Sequence, residues 1–212
     1  MADELKLYTN PMSRGRIARW MLEEIGQPYE THFLRYGEEM NAPAYTAINP
    51  MAKVPAVVHN GTVITECAAI CVYLAEVFPQ VGLAPTDAER AKYYRALFFA
   101  AGPVEQAVTN RTMGWSNDDP MKTGMLGYGT YERAIAGLET LLGDGPYICG
   151  DRFTAADVYV GSAIGWGLDF GTVPERPAFR AYRNHLYARE AYARAKAKDD
   201  AAIAEFGPNM GG

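Results

Sequence analysis

The chain has 212 residues, of which 49% are hydrophobic and 21% are charged. This balance is typical of a folded globular protein and excludes a disordered one. Twenty Lys and Arg residues against twenty-five Asp and Glu residues give a net charge of −5, which argues against nucleic acid as a partner because phosphate binding needs a basic surface. The most apolar stretch, residues 67–75, is nine residues long, whereas a membrane-spanning helix needs about 20, so no membrane span is predicted.

The N-terminus and the cysteines indicate a reducing compartment. Residues 1–6 carry two acids and no apolar signal core, so we expect a cytoplasmic location. The three cysteines are an odd number without a disulfide pattern, and we expect reduced thiols. The three histidines lack metal-ligand spacing, so no metal site is expected.

The hydrophobic pattern changes near residue 80. Before this point strand and helix signals alternate, and beyond it nearly every segment has helical periodicity. Residues 81–86 contain a glycine and a proline and read as a linker. We therefore predict two domains, residues 1–80 and residues 87–212.

The first part of the chain predicts a β-α-β unit. A strand over residues 5–9 is followed by a helix that Ser13 is placed to cap and Gly26 to end. A second strand follows over residues 29–34. The crossover should be right-handed, and we expect a parallel pair in the middle of the sheet.

The first predicted helix has one apolar face. Ile17, Met21 and Ile25 recur with helical spacing and are expected to pack on a sheet. Arg19 and Glu23 point elsewhere in this pattern. We therefore expect one buried face and one polar face.

A hairpin and a second helix complete the first predicted domain. Residues 56–59 and residues 62–65 flank Asn60-Gly61, which is typical of a type I′ turn because both central positions need a positive φ. A helix over residues 66–78 follows. The predicted order is β-α-β-β-β-α.

The second domain is predicted to be all-helical. Helical runs lie near residues 87–117, 121–142, 155–167 and 177–195. Thr154 and Asp157, three residues apart at the start of the third run, predict a capping box. We interpret this pair as structural.

Three junctions between predicted elements contain residues that suit catalysis or ligand binding. The first is the turn at residues 10–15. A strand here delivers the hydroxyl of Ser13 to a helix N-terminus. The free amides and partial positive charge of such a terminus stabilise an anion, including a thiolate. The alternative is that Ser13 only caps the helix.

The second junction is Val54-Pro55, at the start of a predicted strand. Proline at this position has no ladder hydrogen bond to donate. A cis peptide bond would turn the Val54 backbone groups toward a peptide-like ligand. The alternative is an ordinary edge-strand proline.

The third junction is Glu66-Cys67, where a strand leads into a helix. The Cys67 amide and the helix dipole suit a ligand carboxylate, and the Glu66 carboxylate suits an ammonium, as in an amino-acid head group. The alternative is that Glu66 only complements the helix dipole.

Together these motifs resemble the cytosolic glutathione transferases, in particular bacterial theta- and beta-like members with a serine in the active-site turn. Residues 7–16 resemble the first strand and that turn, and residues 53–55 resemble the cis-proline motif with Pro55. Residues 66–74 resemble the Glu/Gln-Ser-x-x-Ile motif, and residues 150–157 resemble the C-terminal capping motif. The resemblance covers nearly the whole chain and implies a thioredoxin-like α/β domain, an all-α domain and a homodimer.

The resemblance also implies roles for individual residues, with glutathione as co-substrate and no metal. Ser13 would donate to the glutathione sulfur, and the Val54 backbone would pair with the cysteinyl part. Lys53 would meet the glycyl carboxylate, Glu66 the γ-glutamyl ammonium, and the Cys67 amide the γ-glutamyl carboxylate. The implied reaction is attack of the activated thiol on a small hydrophobic electrophile, as in detoxification.

The electrophile would lie in an apolar pocket between the active-site turn and the helical domain. Candidate lining residues are Met12, Met113, Trp115 and Trp166. The alternative is that these side chains belong to the core.

Two departures from the family pattern bear on the chemistry. Cys67 stands where the family usually has a serine, and a thiol is the weaker donor. Arg14 stands where beta-class members have a cysteine, so mixed-disulfide chemistry at this turn is not expected. Tyr8, near the end of the first strand, is a second candidate for activating the thiol.

Other functions stay open from the sequence. One is a non-catalytic member of this fold that binds a protein partner, because a fold alone does not fix function. Others are a glutathione-dependent peroxidase or isomerase, and a thiol-bearing oxidoreductase, which the absence of a cysteine in the turn disfavours.

Overall fold

The computed structural model describes residues 4–115 and 119–207, and the chain divides into two compact units. The first unit is Met1–Gly82 with Ala188–Gly212, and the second is Leu83–Tyr187. Packing thus groups the C-terminal segment with the first unit, whereas the boundaries drawn from the sequence kept residues 87–212 together.

The first unit contains a four-stranded sheet of order β2-β1-β3-β4. Its strands are β1 (Leu5–Thr9), β2 (Glu30–Phe33), β3 (Ala56–His59) and β4 (Thr62–Thr65). β1 is parallel to β2 and antiparallel to β3, and β3 is antiparallel to β4. The prediction of a parallel middle pair was wrong, because β3 occupies the other edge of β1 and leaves the parallel pair at one side.

Helices surround the sheet and form the second unit. In the first unit they are α1 (Gly15–Ile25), α2 (Glu38–Asn41), α3 (Pro43–Thr46), α4 (Cys67–Val77) and, after the second unit, α11 (Glu190–Phe206). In the second unit they are α5 (Arg90–Phe99), α6 (Glu105–Thr112), α7 (Pro120–Met125), α8 (Tyr131–Leu142), α9 (Ala155–Asp169) and α10 (Pro177–Tyr187). The predicted α/β plus all-α fold class is confirmed. No helix in the described ranges is both long enough and apolar enough to cross a membrane.

The hairpin between β3 and β4 follows the prediction. Asn60 has a φ of 50° and Gly61 a φ of 81°, the positive values that a type I′ turn requires. The turn fixes the β3–β4 register, in which Ala56 faces Thr65.

The strand register brings several loops to one end of the sheet. Thr9 at the end of β1 faces Phe33 at the end of parallel β2. Tyr8 faces Ala56, the first residue of β3, and Ala56 faces Thr65, the last residue of β4. The segments after β1, after β2, before β3 and after β4 therefore share this end, which we call the loop end of the sheet.

Helix α1 is buried on two faces. Its apolar face lies in the core as predicted. Arg19 and Glu23, which were expected to point elsewhere, are also buried, because α11 packs along this second face. Arg19 Nε donates to Asp199 Oδ1 at 2.7 Å, and Glu23 pairs with Lys198.

The predicted helical runs are interrupted in the structure. The first run comprises α5, a π-helical turn at Ala100–Val104 and α6; the turn includes Pro103, which lacks an amide to donate. Residues 116–117, at the end of that predicted run, lie outside the described residues. The second run separates into α7 and α8, and the fourth into α10 and α11.

The predicted capping box at the start of α9 is confirmed. Asp157 is fully buried, and its carboxylate accepts from the Thr154 amide at 2.8 Å. It also accepts from the Ile148 amide at 2.7 Å and from the Tyr182 phenol at 2.8 Å. The carboxylate therefore holds a loop and α10 as well as its own helix end.

Candidate active site

The turn between β1 and α1 is held by the side chain of Asn10. This side chain is fully buried. Its amide donates to the Leu34 carbonyl at 2.9 Å, and its oxygen accepts from the Met12 amide at 2.9 Å. Asn10 thus ties the turn to the segment after β2.

Ser13 lies inside this turn with its hydroxyl buried. The side chain is 8% exposed. The hydroxyl donates to the Asn10 carbonyl at 2.7 Å and accepts from the Gly15 amide at 2.9 Å. Helix α1 begins at Gly15 with Arg14 before it, so the predicted N-cap position at Ser13 was wrong by one residue. The hydroxyl still satisfies a free amide of the helix start.

Gly15 is required where β1 and α1 meet. A Cβ at this position would lie 1.9 Å from the Thr9 hydroxyl oxygen, far closer than a real contact. A larger residue would force the Thr9 side chain or the start of α1 to shift. The close approach therefore helps to fix Ser13 at the loop end.

Tyr36, in the segment after β2, lies against the same turn. Its phenol oxygen is 3.5 Å from the Met12 carbonyl oxygen. Burial raises the pKa of this phenol, and the nearby Ser13 hydroxyl and the charge of Arg14 oppose the rise. Sequence reasoning missed Tyr36 because a single loop tyrosine has no periodic or motif signal.

Tyr8 faces a different set of side chains. Its ring stacks on His32 with the centroids 4.6 Å apart and the planes 11° from parallel, and Tyr45 lies 5.8 Å away. The ring packs beside a buried cluster that includes Met40 and Ala56. The hydroxyl of Ser13, by contrast, bonds within the turn at the start of α1.

The loop before β3 carries Lys53 and Val54. The Val54-Pro55 peptide bond is cis. The Lys53 carbonyl accepts from the Tyr45 phenol at 2.5 Å and from the Asn49 amide at 2.7 Å. Burial raises the pKa of Tyr45 to about 12, so this phenol stays protonated as a donor. Two side chains thus hold the backbone that leads into Val54, while the Lys53 side chain is exposed.

Glu66 and Cys67 form the start of α4. Glu66 has a φ of 65°, which residues other than glycine rarely adopt, and strain of this kind often marks a functional site. Its side chain is exposed. The Cys67 thiol is 9% exposed and donates to the Arg14 carbonyl at 3.6 Å, which links the starts of α4 and α1.

The predicted electrophile-pocket residues belong to both units. Met12 is in the first unit and is 55% exposed. Met113 and Trp115 are exposed near the end of α6 in the second unit. Trp166 in α9 is half-buried and meets Phe170 edge to face at 6.4 Å. Their role in binding an electrophile stays a prediction.

The loop end therefore carries polar groups that are suited to binding a peptide. It presents a hydroxyl at a helix start, a backbone segment at Val54, and a carboxylate beside a second helix start at Glu66. Free amides at helix starts favour anions, and Glu66 favours a cation. Among the residues that the structure describes, no group of three or more His, Cys, Asp or Glu side chains is arranged to hold a metal ion.

Comparisons with known proteins match both units. The family described as "Glutathione S-transferase, N-terminal domain" matches residues 3–76, and "Glutathione S-transferase, C-terminal domain" matches residues 105–185. A Pseudomonas aeruginosa protein named maleylacetoacetate isomerase is 33% identical over 166 residues, covering 74% of this chain and 78% of the relative. The Escherichia coli O157:H7 glutathione S-transferase GstA is 32% identical over 167 residues, covering 76% of this chain and 82% of the relative.

Solved structures agree with these matches. A glutathione transferase homologue from Sulfitobacter, with bound glutathione, is 28% identical with a TM-score of 0.74, covering 92% of this chain and 98% of that one. A glutathione transferase from Methylococcus capsulatus is 25% identical with a TM-score of 0.74, covering 93% of this chain and 99% of that one. The chain belongs to the cytosolic glutathione S-transferase family of enzymes.

Proposed function

We propose that this enzyme binds glutathione at the loop end of the first unit and activates its thiol for attack on small hydrophobic electrophiles. The observation that carries the proposal is the position of Ser13, whose buried hydroxyl lies 2.9 Å from the first amide of α1. The relatives named glutathione S-transferase and the homologous structure with bound glutathione support it.

The two charged ends of glutathione have complementary groups in this site. Glu66 would hold the γ-glutamyl ammonium, and the Cys67 amide at the start of α4 would receive the adjacent carboxylate. The exposed Lys53 would meet the glycyl carboxylate. The Val54 backbone would pair with the cysteinyl part, so that the sulfur points toward Ser13.

The turn can supply the free energy that is needed to lower the pKa of the thiol. Lowering a thiol pKa by two units from about 8.5 requires about 2.7 kcal/mol. A hydrogen bond to a charged group contributes about 1.5–3 kcal/mol, and a helix N-terminus adds up to about 1 kcal/mol. Ser13 and the start of α1 are therefore sufficient in magnitude.

The reaction balances without a further co-reactant. The thiol loses its proton to solvent, and the thiolate sulfur forms a bond to the electrophilic carbon. In a substitution the leaving group departs with the electron pair of its bond to that carbon. In an addition the neighbouring carbon takes a proton from solvent. In both routes the glutathione sulfur keeps its oxidation state, because a thiolate and a thioether are at the same level.

Retention on immobilised glutathione, with competitive elution by free glutathione, tests the binding step. Glu66→Gln should reduce retention because it removes the partner of the ammonium. Glu76→Gln, about 15 Å along the same helix, is the matched control and should be retained like the wild type. Equal retention of both variants would contradict the role given to Glu66, and a wild type that is not retained would contradict glutathione binding.

Isomerisation is the second candidate, because the Pseudomonas aeruginosa relative is named maleylacetoacetate isomerase. The same thiolate would add to a carbon–carbon double bond, permit rotation and leave again. Glutathione would then be required but not consumed. Turnover of maleylacetoacetate without loss of titratable thiol would support this activity, and thiol loss that matches turnover would support conjugation.

We also propose that the enzyme is a cytoplasmic homodimer and acts in detoxification, as the resemblance implies. The side chains of Met12, Met113, Trp115 and Trp166 stay the candidates for contact with the electrophile. Sedimentation at micromolar concentration should give twice the chain mass of 23.3 kDa. A species of one chain mass would contradict the dimer.

A further inference from the structure

The Ser13 hydroxyl has a single proton, and the structure shows where it goes. A serine hydroxyl donates one hydrogen bond and accepts two. Here it donates to the Asn10 carbonyl at 2.7 Å and accepts from the Gly15 amide at 2.9 Å. To donate to a thiolate, Ser13 must release the Asn10 carbonyl, which would keep the Ser13 backbone amide at 3.0 Å as a partner.

Tyr36 brings a second hydroxyl to the same turn, and the hydrogen bond that this hydroxyl donates is longer than the one that Ser13 donates. The phenol oxygen is 3.5 Å from the Met12 carbonyl oxygen, at the upper limit for a hydrogen bond. The side chain is 37% exposed, so a ligand can reach it. To donate to an incoming acceptor, Tyr36 would break a longer and weaker hydrogen bond than the one that Ser13 makes to the Asn10 carbonyl.

The placement of Tyr36 is built into the fold. Leu34, two residues before it, donates its amide to the Thr9 carbonyl at 2.9 Å. The Leu34 carbonyl accepts from the Asn10 side chain at 2.9 Å. These two bonds fasten the segment after β2 to the turn that carries Ser13.

The surroundings of Tyr36 suit a donor to an anion. Burial raises the pKa of the phenol, which keeps the group protonated at neutral pH. The positive charge of Arg14 acts on the phenol and opposes that rise. The same positive charge would favour a thiolate placed between these groups.

We propose that Tyr36 is a second catalytic residue, which donates a hydrogen bond to the glutathione sulfur together with Ser13. The inference rests on the proposed glutathione-conjugating function. It assigns the stabilisation of the thiolate to two hydroxyls from different loops, one after β1 and one after β2. Removing either donor alone would leave part of the thiol activation in place.

Tyr36→Phe tests this proposal, with Tyr73→Phe as the matched control because the Tyr73 phenol bonds to His59. The readouts are the dissociation constant of glutathione, the titration of its bound thiolate by ultraviolet absorbance, and the conjugation rate with a chloronitrobenzene across pH. For Tyr36→Phe we expect an affinity within twofold of the wild type and a bound-thiol pKa raised by about one unit. Conjugation at neutral pH should fall about threefold to tenfold and recover as the pH rises.

The outcomes separate this proposal from the proposed function. If wild-type protein lowers the thiol pKa and Tyr36→Phe titrates like it, the role of Tyr36 is overturned and the proposed function stands. A changed affinity with an unchanged thiol pKa would likewise overturn it, because Tyr36 would then only bind. If wild-type protein binds no glutathione, the proposed function fails and this inference fails with it. Thermal melting equal to that of wild type would show that a rate loss does not come from unfolding.

Discussion

The Cys67 thiol donates to the Arg14 carbonyl at 3.6 Å and so joins the start of α4 to the start of α1. A thiol is a weak donor, and in this position it is turned toward the protein backbone. In the proposed complex the γ-glutamyl carboxylate would therefore be held by the Cys67 amide and the helix start, with little help from the sulfur.

Cys67→Ser is expected to tighten glutathione binding by about 0.5–1.5 kcal/mol. A hydroxyl is a stronger donor than a thiol and can give its proton to the carboxylate. Calorimetric titration measures the change, and Cys149→Ser in the second unit is the control that should leave affinity unaltered. Unchanged or weaker binding by Cys67→Ser would mean that the new hydroxyl serves the Arg14 carbonyl instead.

Local signals in the sequence were enough to predict the four strands and the junctions of the site, but not which strands pair in the middle of the sheet. The strand limits at residues 56–59 and residues 62–65 match the structure, because Asn60-Gly61 permits few alternatives to a tight turn. The junctions at Ser13 and Glu66 lie at helix starts, as the local strand and helix patterns predicted. Short helices such as α2 and α3 were missed, since four residues are too few to show a helical period.

Contacts between distant parts of the chain could not be predicted in this way. Arg19 looked like a surface residue in its own helix, and its burial depends on Asp199, which is 180 residues later. Tyr36 reaches the active-site turn only because β2 lies parallel to β1. Neither the burial of Arg19 nor the position of Tyr36 can be predicted from the residues next to it in the sequence.

The Arg19–Asp199 pair gives a test of the α1–α11 interface. The two side chains are 2% and 1% exposed, and Arg19 Nη2 and Asp199 Oδ2 have no hydrogen-bond partner within the described part of the chain. Arg19→Met or Asp199→Leu alone should lower the free energy of unfolding by about 3–5 kcal/mol, because each leaves a buried charge unpaired.

The double variant Arg19→Met with Asp199→Leu should recover most of that loss, since it leaves neither charge behind. Urea unfolding of all four proteins gives the coupling between the two positions. A double variant whose loss equals the sum of the single losses would contradict the pairing argument.

Asp157→Ala should destabilise the protein without altering glutathione affinity. The substitution leaves two buried amides and the Tyr182 phenol without their acceptor, so we expect a loss of about 2–4 kcal/mol. Asp119→Ala is the matched control, because Asp119 caps α7 in an exposed position and should cost only about 0.5–2 kcal/mol. Similar losses for both variants would show that the additional bonds of Asp157 contribute little.

The Glu89–Arg152 pair should make part of the stability depend on acid pH. Hydrogen bonds from Arg152 lower the pKa of Glu89 from about 4.5 to about 2. Because the folded-state pKa is depressed, this contribution is complete above about pH 4.5 and is lost as the pH falls toward 2. Glu89→Gln should reduce the free energy of unfolding by about 1 kcal/mol at pH 7, and the difference from wild type should shrink as the pH falls from 4.5 to 2. A difference that stays constant between pH 7 and pH 2.5 would contradict the assignment.

Ser13→Ala should separate thiol activation from glutathione binding. The ends of the tripeptide are held by Lys53, Glu66 and Cys67 in the proposed complex, so affinity should stay nearly intact. Removing one hydrogen bond to the thiolate, worth about 1.5–3 kcal/mol, should raise the bound-thiol pKa by about one to two units. Conjugation should slow at neutral pH and recover as the pH rises, because the thiolate then forms without help.

The matched control for Ser13→Ala is Ser162→Ala, which removes a buried hydroxyl that donates to the Val158 carbonyl within α9. This control should leave the thiolate titration and the pH dependence of the rate as in wild type. If Ser13→Ala and wild type also give coincident titrations, Ser13 only supports the start of α1. Tyr8→Phe then becomes the next variant to measure, although the stacking of Tyr8 on His32 argues that it will titrate like wild type. A raised pKa in Ser13→Ala, with Ser162→Ala titrating like wild type, would identify the Ser13 hydroxyl as a donor to the thiolate.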